Sequence, residues 1–200
     1  MKDYFRNMSF TSQPTSPPAL RDPRALRALA HPVRLAILEH LRTIGPATAT
    51  ECAEVTGQSP SACSYHLRAL AKWDLVAESD GHDRRERRWA SKGRFVISDH
   101  DEPRGADVAA AEHQLTAQVL QRATSRALAW MDASDDEPKA WRDVTMIGNS
   151  ALRVTADELA TVLEQVEALI APYSVGERQS DVPDGSRIVH FTLSAVPSLP

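Results

Sequence analysis

Residues 59–73, SPSACSYHLRALAKW, decide the fold. Ser59 followed by Pro60 reads as a helix start, because a serine hydroxyl can accept a first-turn amide and proline at the first helical position gives up no needed donor. Cys63, Leu67 and Leu70 then recur at i, i+4 and i+7 as an inward stripe. Ser61, Ala62, Ser64, Tyr65 and Arg68 are left on the outer face. A short helix whose outside is small, hydroxylated and basic has the surface a major groove accepts, although any small helical bundle also tolerates it.

Upstream, the chain is punctuated at close intervals. Asp22-Pro23 predicts a short helix through Leu29, with Leu20, Leu26 and Leu29 on its apolar side. His31-Pro32 predicts a second, to about Thr43, carrying Val33, Ile37, Leu38 and Leu41 as its stripe and stopped by Gly45-Pro46. Thr48 or Thr50 can cap a third helix through Val55, which Gly57 closes as a left-handed residue. Two short helices around a glycine-containing turn, the second starting at Ser59, form a helix-turn-helix pattern.

Downstream, Leu75 to Glu78 and Arg87 to Ala90 read as two strands around a polar tip, Ser79-Asp80-Gly81-His82-Asp83. This hairpin has the place of a wing. Arg84, Arg85, Arg87, Arg88, Lys92 and Arg94 crowd its second half against only Asp83 and Glu86. A charge run by itself is ordinarily a solvated face. Directly after a helix-turn-helix it is better explained by phosphate or minor-groove contact. Arg87 shares the face of Trp89 and has the alternative role of bracing the hairpin.

Charge is divided unevenly. The chain of 200 residues has a net charge of −4. Residues 20–94 hold 13 Lys/Arg against 9 Asp/Glu, for +4, residues 95–200 hold 8 against 17, for −9, and residues 1–19 supply the remaining +1. The basic segment can meet phosphates while the acidic one is kept away from them. With 42% hydrophobic residues the chain can bury a core. No stretch approaches the roughly 18 apolar residues of a membrane span, and Met1 to Leu20 lacks the apolar centre of a signal peptide, so the expectation is a cytoplasmic protein with no membrane partner. Cys52 and Cys63 make no disulfide framework and are read as buried thiols.

Three pieces together resemble the ArsR/SmtB-type winged-helix regulators: Leu26 to Leu38 (LRALAHPVRLAIL), Ser64 to Leu70 (SYHLRAL), and Leu75-Val76 with the Arg-rich wing ending at Trp89. The resemblance covers residues 20–92, less than half the chain. It implies a homodimer bound to a two-fold DNA operator, usually as a repressor released by a metal or another signal. The metal sites of the family are not matched. Only Cys52 stands in the third helix, and His113 is followed by Gln114, Leu115 and Thr116 with no second histidine one turn on. No metal and no cofactor are therefore expected, while the effector stays unnamed and the second half stays open as an effector module. Asp74 also stands where a glycine often ends the helix.

The second half is read as a dimerisation region. Asp99 to Asp107, with Pro103 and Gly105, is a hinge. A long helix from about Asp107 to Asp132 carries apolar residues on more than one stripe, and Leu115, Val119, Leu120 and Leu128 are taken as dimer contacts. Trp141 to Val154 is strand-like. Thr155 to Glu158 is a capping box opening a helix with Leu159, Val162, Leu163, Val166, Leu169 and Ile170 inside and Pro172 at its end. Pro183-Asp184-Gly185 turns into a last strand, where Val189, Phe191, Leu193 and Ala195 alternate with His190, Thr192 and Ser194. Asp143, His190, Thr192 and Ser194 lack any nucleophile, phosphate-loop or paired-carboxylate pattern, so no catalytic residue is assigned and no enzyme is expected.

The expected architecture is α+β: a flexible tail over 1–19, a winged helix-turn-helix over 20–95, and over 106–200 a long dimerisation helix with a small strand-helix-strand module. The expected function is a homodimeric, sequence-specific double-stranded DNA-binding transcriptional regulator, acting as a repressor. Ser59, Ser61, Ala62, Ser64, Tyr65 and Arg68 would address bases or nearby phosphates, and Arg84, Arg85, Arg87 and Arg88 the backbone. Two alternatives stay open: a winged-helix protein-interaction module, and a metal-responsive repressor.

Overall fold

The computed structural model describes residues 20, 22–79, 87–93, 105–178 and 182–198. Helix α1 (Pro23–Leu29) begins where the Asp22 carboxylate accepts the Arg24 amide, and α2 (Pro32–Thr43) begins where His31 Nδ1 accepts that of Val33. Both have proline in the first turn, which costs them no helical hydrogen bond. A two-residue strand β1 (Ala47–Thr48) leads into α3 (Ala49–Thr56). Thr48 and Glu51 form a reciprocal capping box there, and Gly57 closes α3 at φ 64°. The turn to Ser59 delivers the chain to α4 (Pro60–Ala71).

After α4 the chain reverses through Asp74, at φ 59° the single non-glycine residue with a left-handed backbone among those described. The Leu75 amide reaches back to the Leu70 carbonyl, which satisfies an orphan group of the helix end. Strands β2 (Val76–Ser79) and β3 (Arg88–Ser91) then pair antiparallel, with Glu78 opposite Trp89. Strand β1 pairs with the other edge of β3, Ala47 opposite Trp89, so the sheet order is β1-β3-β2. The wing tip between the strands lies outside the described residues, and so do the tail expected over 1–19 and most of the hinge.

The core is one cluster. Leu26 and Leu29 of α1, Ile37, Leu38 and Leu41 of α2, Cys52 of α3, and Cys63, Leu67 and Leu70 of α4 meet Leu75, Val76 and Trp89 of the wing. Helix α5 (Ala106–Ala133) closes it by packing its first half on α1, contributing Ala111 and Leu115. Leu115, expected at the dimer face, is wholly buried inside its own chain, whereas Val119, Leu120 and Leu128 are exposed. The division follows from α5 outrunning the domain: a helix of 28 residues spans about 40 Å, longer than the surface α1 offers.

Beyond α5 the structure departs from the expected strand-helix-strand order. A short α6 (Lys139–Arg142) occupies the start of the first expected strand, and residues 145–155 carry no regular structure. Helix α7 (Ala156–Ile170) forms as read, with the Thr155–Glu158 capping box present and a single 3-10 turn (Ala171–Tyr173) after it. The Pro183 carbonyl accepts the Ser186 amide in the expected turn, but residues 186–198 form no strand. A strand needs a neighbouring edge, and neither segment is paired with one among the described residues.

Candidate nucleic-acid interface

The candidate interface is built on α4. Ser59 Oγ accepts the Ala62 amide at 3.2 Å, which fixes the helix start and leaves its remaining first-turn amides and positive dipole end facing outward. Such an end favours phosphate. Ser61, Tyr65 and Arg68 are exposed, Tyr65 to 63%, while Ala62 and Ser64 are half-buried beside them. Arg68 Nε donates to the Ser64 carbonyl at 3.2 Å, so its guanidinium is held along the helix surface with its other donors available.

Behind this face, the helix is supported by apolar and aromatic packing. Cys52 and Cys63 are fully buried across the α3–α4 turn, and the Thr56 hydroxyl bridges them, donating to the Cys52 carbonyl at 2.7 Å and lying 3.3 Å from Cys63 Sγ. Burial pushes the Cys52 thiol up to about 11, with Cys63 and Glu51 adding to it, so it stays protonated and unreactive at neutral pH. The His66 ring lies 4.7 Å from that of His31, and Tyr65 meets His66 edge-on. Burial lowers both histidines below the ordinary range, and the Arg34 guanidinium lowers them further, so both rings are neutral at pH 7. His66 thus lies behind the helix, and no local sequence pattern announces His31 or Arg34 as its neighbours. His66 Nδ1 and Arg34 Nε are buried with no hydrogen-bond partner among the described residues.

The wing arginines divide. Arg84 and Arg85 lie outside the described residues. Arg87 is exposed and pairs at 3.2 Å with Glu78 on the facing strand, the bracing role its position allowed. Arg88, expected on phosphates, turns inward. Its guanidinium donates to the Pro46 carbonyl at 3.2 and 2.8 Å and to both Glu51 oxygens at 3.1 Å, clamping β3 to the start of α3. Glu51 is the hinge of this arrangement, since it also accepts the Thr48 amide at 2.6 Å. That backbone bond first, then the Thr48 hydroxyl and Arg88, hold its carboxyl below the usual range. The capping-box spacing Thr48 to Glu51 was the available signal for this brace. Its partner on β3 was not readable locally.

Among the described residues no group of three or more His, Cys, Asp or Glu side chains is arranged to hold a metal ion, and no helix is long and apolar enough to cross a membrane.

Residues 29–78 match the model of a family described as a helix-turn-helix domain. The match covers 50 of the 200 residues, from the last residue of α1 into β2, and contains the whole of α4. It supports a helix-turn-helix domain in this part of the chain and suggests a DNA-binding regulator. A comparison of the chain with curated proteins found no match.

Proposed function

We propose that the protein is a homodimeric transcriptional repressor of the ArsR-like winged-helix kind, reading a two-fold operator in double-stranded DNA. The observation that carries this reading is the outer face of α4. Exposed Ser61, Tyr65 and Arg68 stand on a capped helix that is fixed from behind by Cys63, Leu67 and Leu70 and flanked by a basic hairpin. In this reading Tyr65, Ser61, Ser64 and Arg68 address base edges, Ser59 and Ala62 lie at the phosphate next to the helix start, and Arg84, Arg85 and Arg87 meet the backbone. Arg88 serves by holding the wing in place. Dimerisation would set two α4 helices about 34 Å apart, in successive major grooves. The acidic second half keeps non-specific contacts down, which favours discrimination among sites over raw affinity.

Selection of bound sequences from a random duplex library by the full chain tests the reading. The expected product is an inverted repeat with half-sites about one helical turn apart, whose binding weakens steeply with salt. Flat, weak, sequence-indifferent binding would instead favour a winged-helix module that contacts protein.

A further inference from the structure

The second half of the chain presents an unusual combination. Residues 146–154 and 187–198 hold no helix or strand, and their backbone groups make no hydrogen bond to the backbone of another described residue. The same two segments concentrate exposed apolar side chains: Met146 (87% exposed), Ile147, Leu152 and Val154 in the first, and Ile188, Val189 (67%), Phe191 (60%), Leu193 and Val196 (80%) in the second. Chains normally avoid both features together, since unpaired edges and contiguous apolar surface are an aggregation hazard.

The second segment is positioned where it begins. Arg187 pairs with Glu137 at 2.6 Å and lies over the Trp141 ring at 5.3 Å. His190 Nδ1 reaches Glu39 of α2 at 3.1 Å, and Glu39 also takes Arg122 at 2.8 Å and Arg126, both from α5. The segment is thus anchored through Arg187 and His190 to the chain's own helices, while the alternating Val189, Phe191 and Leu193 remain uncovered.

We infer that these two segments are the strands of a sheet completed only by a second copy of this chain. Several features single out that occupant. A segment paired antiparallel with its own copy across a two-fold axis satisfies the donors and acceptors of both at once. The segments hold no Asp or Glu, Arg153, Arg187 and His190 being their charged or titratable side chains, so two copies of an otherwise acidic half can approach along them without carboxylate repulsion. Nine exposed apolar side chains, with Val119, Leu120, Leu128 and Met131 of α5 as further exposed apolar surface, offer a second copy apolar area to cover. Helix α7, which has no fully buried residue of its own, gains cover from the same layer. This deepens the dimer in the proposed function and rests on it only for the use of the dimer, not for its existence.

Sedimentation of the full chain combined with amide hydrogen exchange over a range of protein concentrations tests the inference. The expected result is a dimer whose amides in 147–153 and 188–195 are protected by at least about tenfold, with that protection lost on dilution while the α1–α4 amides stay protected. The double variant Val189→Lys, Phe191→Lys should be monomeric at concentrations about tenfold higher than the unaltered protein, with its helical signal and the α1–α4 protection retained. Protection of these amides in a monomer, a dimer in which they exchange freely, or a chain monomeric at every concentration overturns the inference. A protected dimer that binds no DNA supports it and refutes the proposed function. A monomer that binds half-sites overturns the inference together with the dimer of the proposed function, and leaves only its DNA reading standing.

Discussion

Replacing Arg88 by alanine separates a brace from a DNA contact. In the structure the guanidinium makes a forked bond to the Pro46 carbonyl, at 3.2 and 2.8 Å, and pairs with Glu51 at 3.1 Å. A charge-assisted fork to a backbone oxygen contributes about 1–1.5 kcal/mol net, and Pro46 is exposed, so water recovers part of what is lost. The ion pair joins side chains 36% and 43% exposed and adds only a few tenths of a kcal/mol. Arg88→Ala should therefore cost about 1–2 kcal/mol, or roughly 2–8 °C in midpoint for a chain of this length. Thermal unfolding followed by circular dichroism measures it. The salt slope of DNA binding, measured well below the midpoint, should be unchanged, whereas Arg84→Ala or Arg85→Ala should lower it by about one. An Arg88→Ala protein that melts normally but loses one unit of salt slope would refute the assignment and return Arg88 to the phosphate contacts.

Other perturbations follow from single features. Asp74→Gly relieves a left-handed backbone at φ 59° and should raise stability by about 0.5–1 kcal/mol, because the exposed pair with Lys92 that it removes is worth little, while Asp74→Ala should lower stability; chemical denaturation decides. Ser59→Ala removes the α4 cap and should cost about 1 kcal/mol, with faster exchange of the first-turn amides of α4. His31, His66 and His190 all have folded values lowered from 6.5, burial being the first cause in each. Near neutral pH all three are uncharged in both states. On acidification the unfolded chain takes up protons first, so stability should fall as pH drops from 7 toward about 5.5. A stability profile flat over that window would contradict these assignments, and His66→Gln should make the slope shallower.

What the sequence disclosed and what it withheld separate by range of interaction. Asp22, Ser59, the Thr48–Glu51 pair, the Thr155–Glu158 pair and Gly57 each act within three or four residues of themselves, and every helix they bound was readable. Leu67 and Leu70 were equally legible, because a helical stripe needs no knowledge of what covers it. Strand β1 was not. Two residues have no period, and Ala47 is a strand only because Trp89, 42 positions on, lies beside it. Arg88 looked like its neighbours in a basic run, and its inward turn depends on Pro46 and Glu51 of another element. Leu115 sat on a helix apolar on several sides, where the pattern alone could not say which side its own domain takes. The strand-like patterns of 141–154 and 189–195 pair with no edge among the described residues, and Trp141 was instead drawn into α6. On α4, the outward face was legible because it is the complement of the buried stripe.

The most direct test of the central claim compares the unaltered protein with Arg68→Ala on a selected duplex site by fluorescence anisotropy at several salt concentrations. If α4 reads base edges through Arg68, the variant should lose about 1–3 kcal/mol of affinity for that site, close to 5- to 150-fold, and discriminate less at one base pair in each half-site. Its affinity for unrelated duplex should change little. Equal binding of selected and unrelated duplex by the unaltered protein, with Arg68→Ala indistinguishable from it, would contradict the assignment of α4 as a recognition helix.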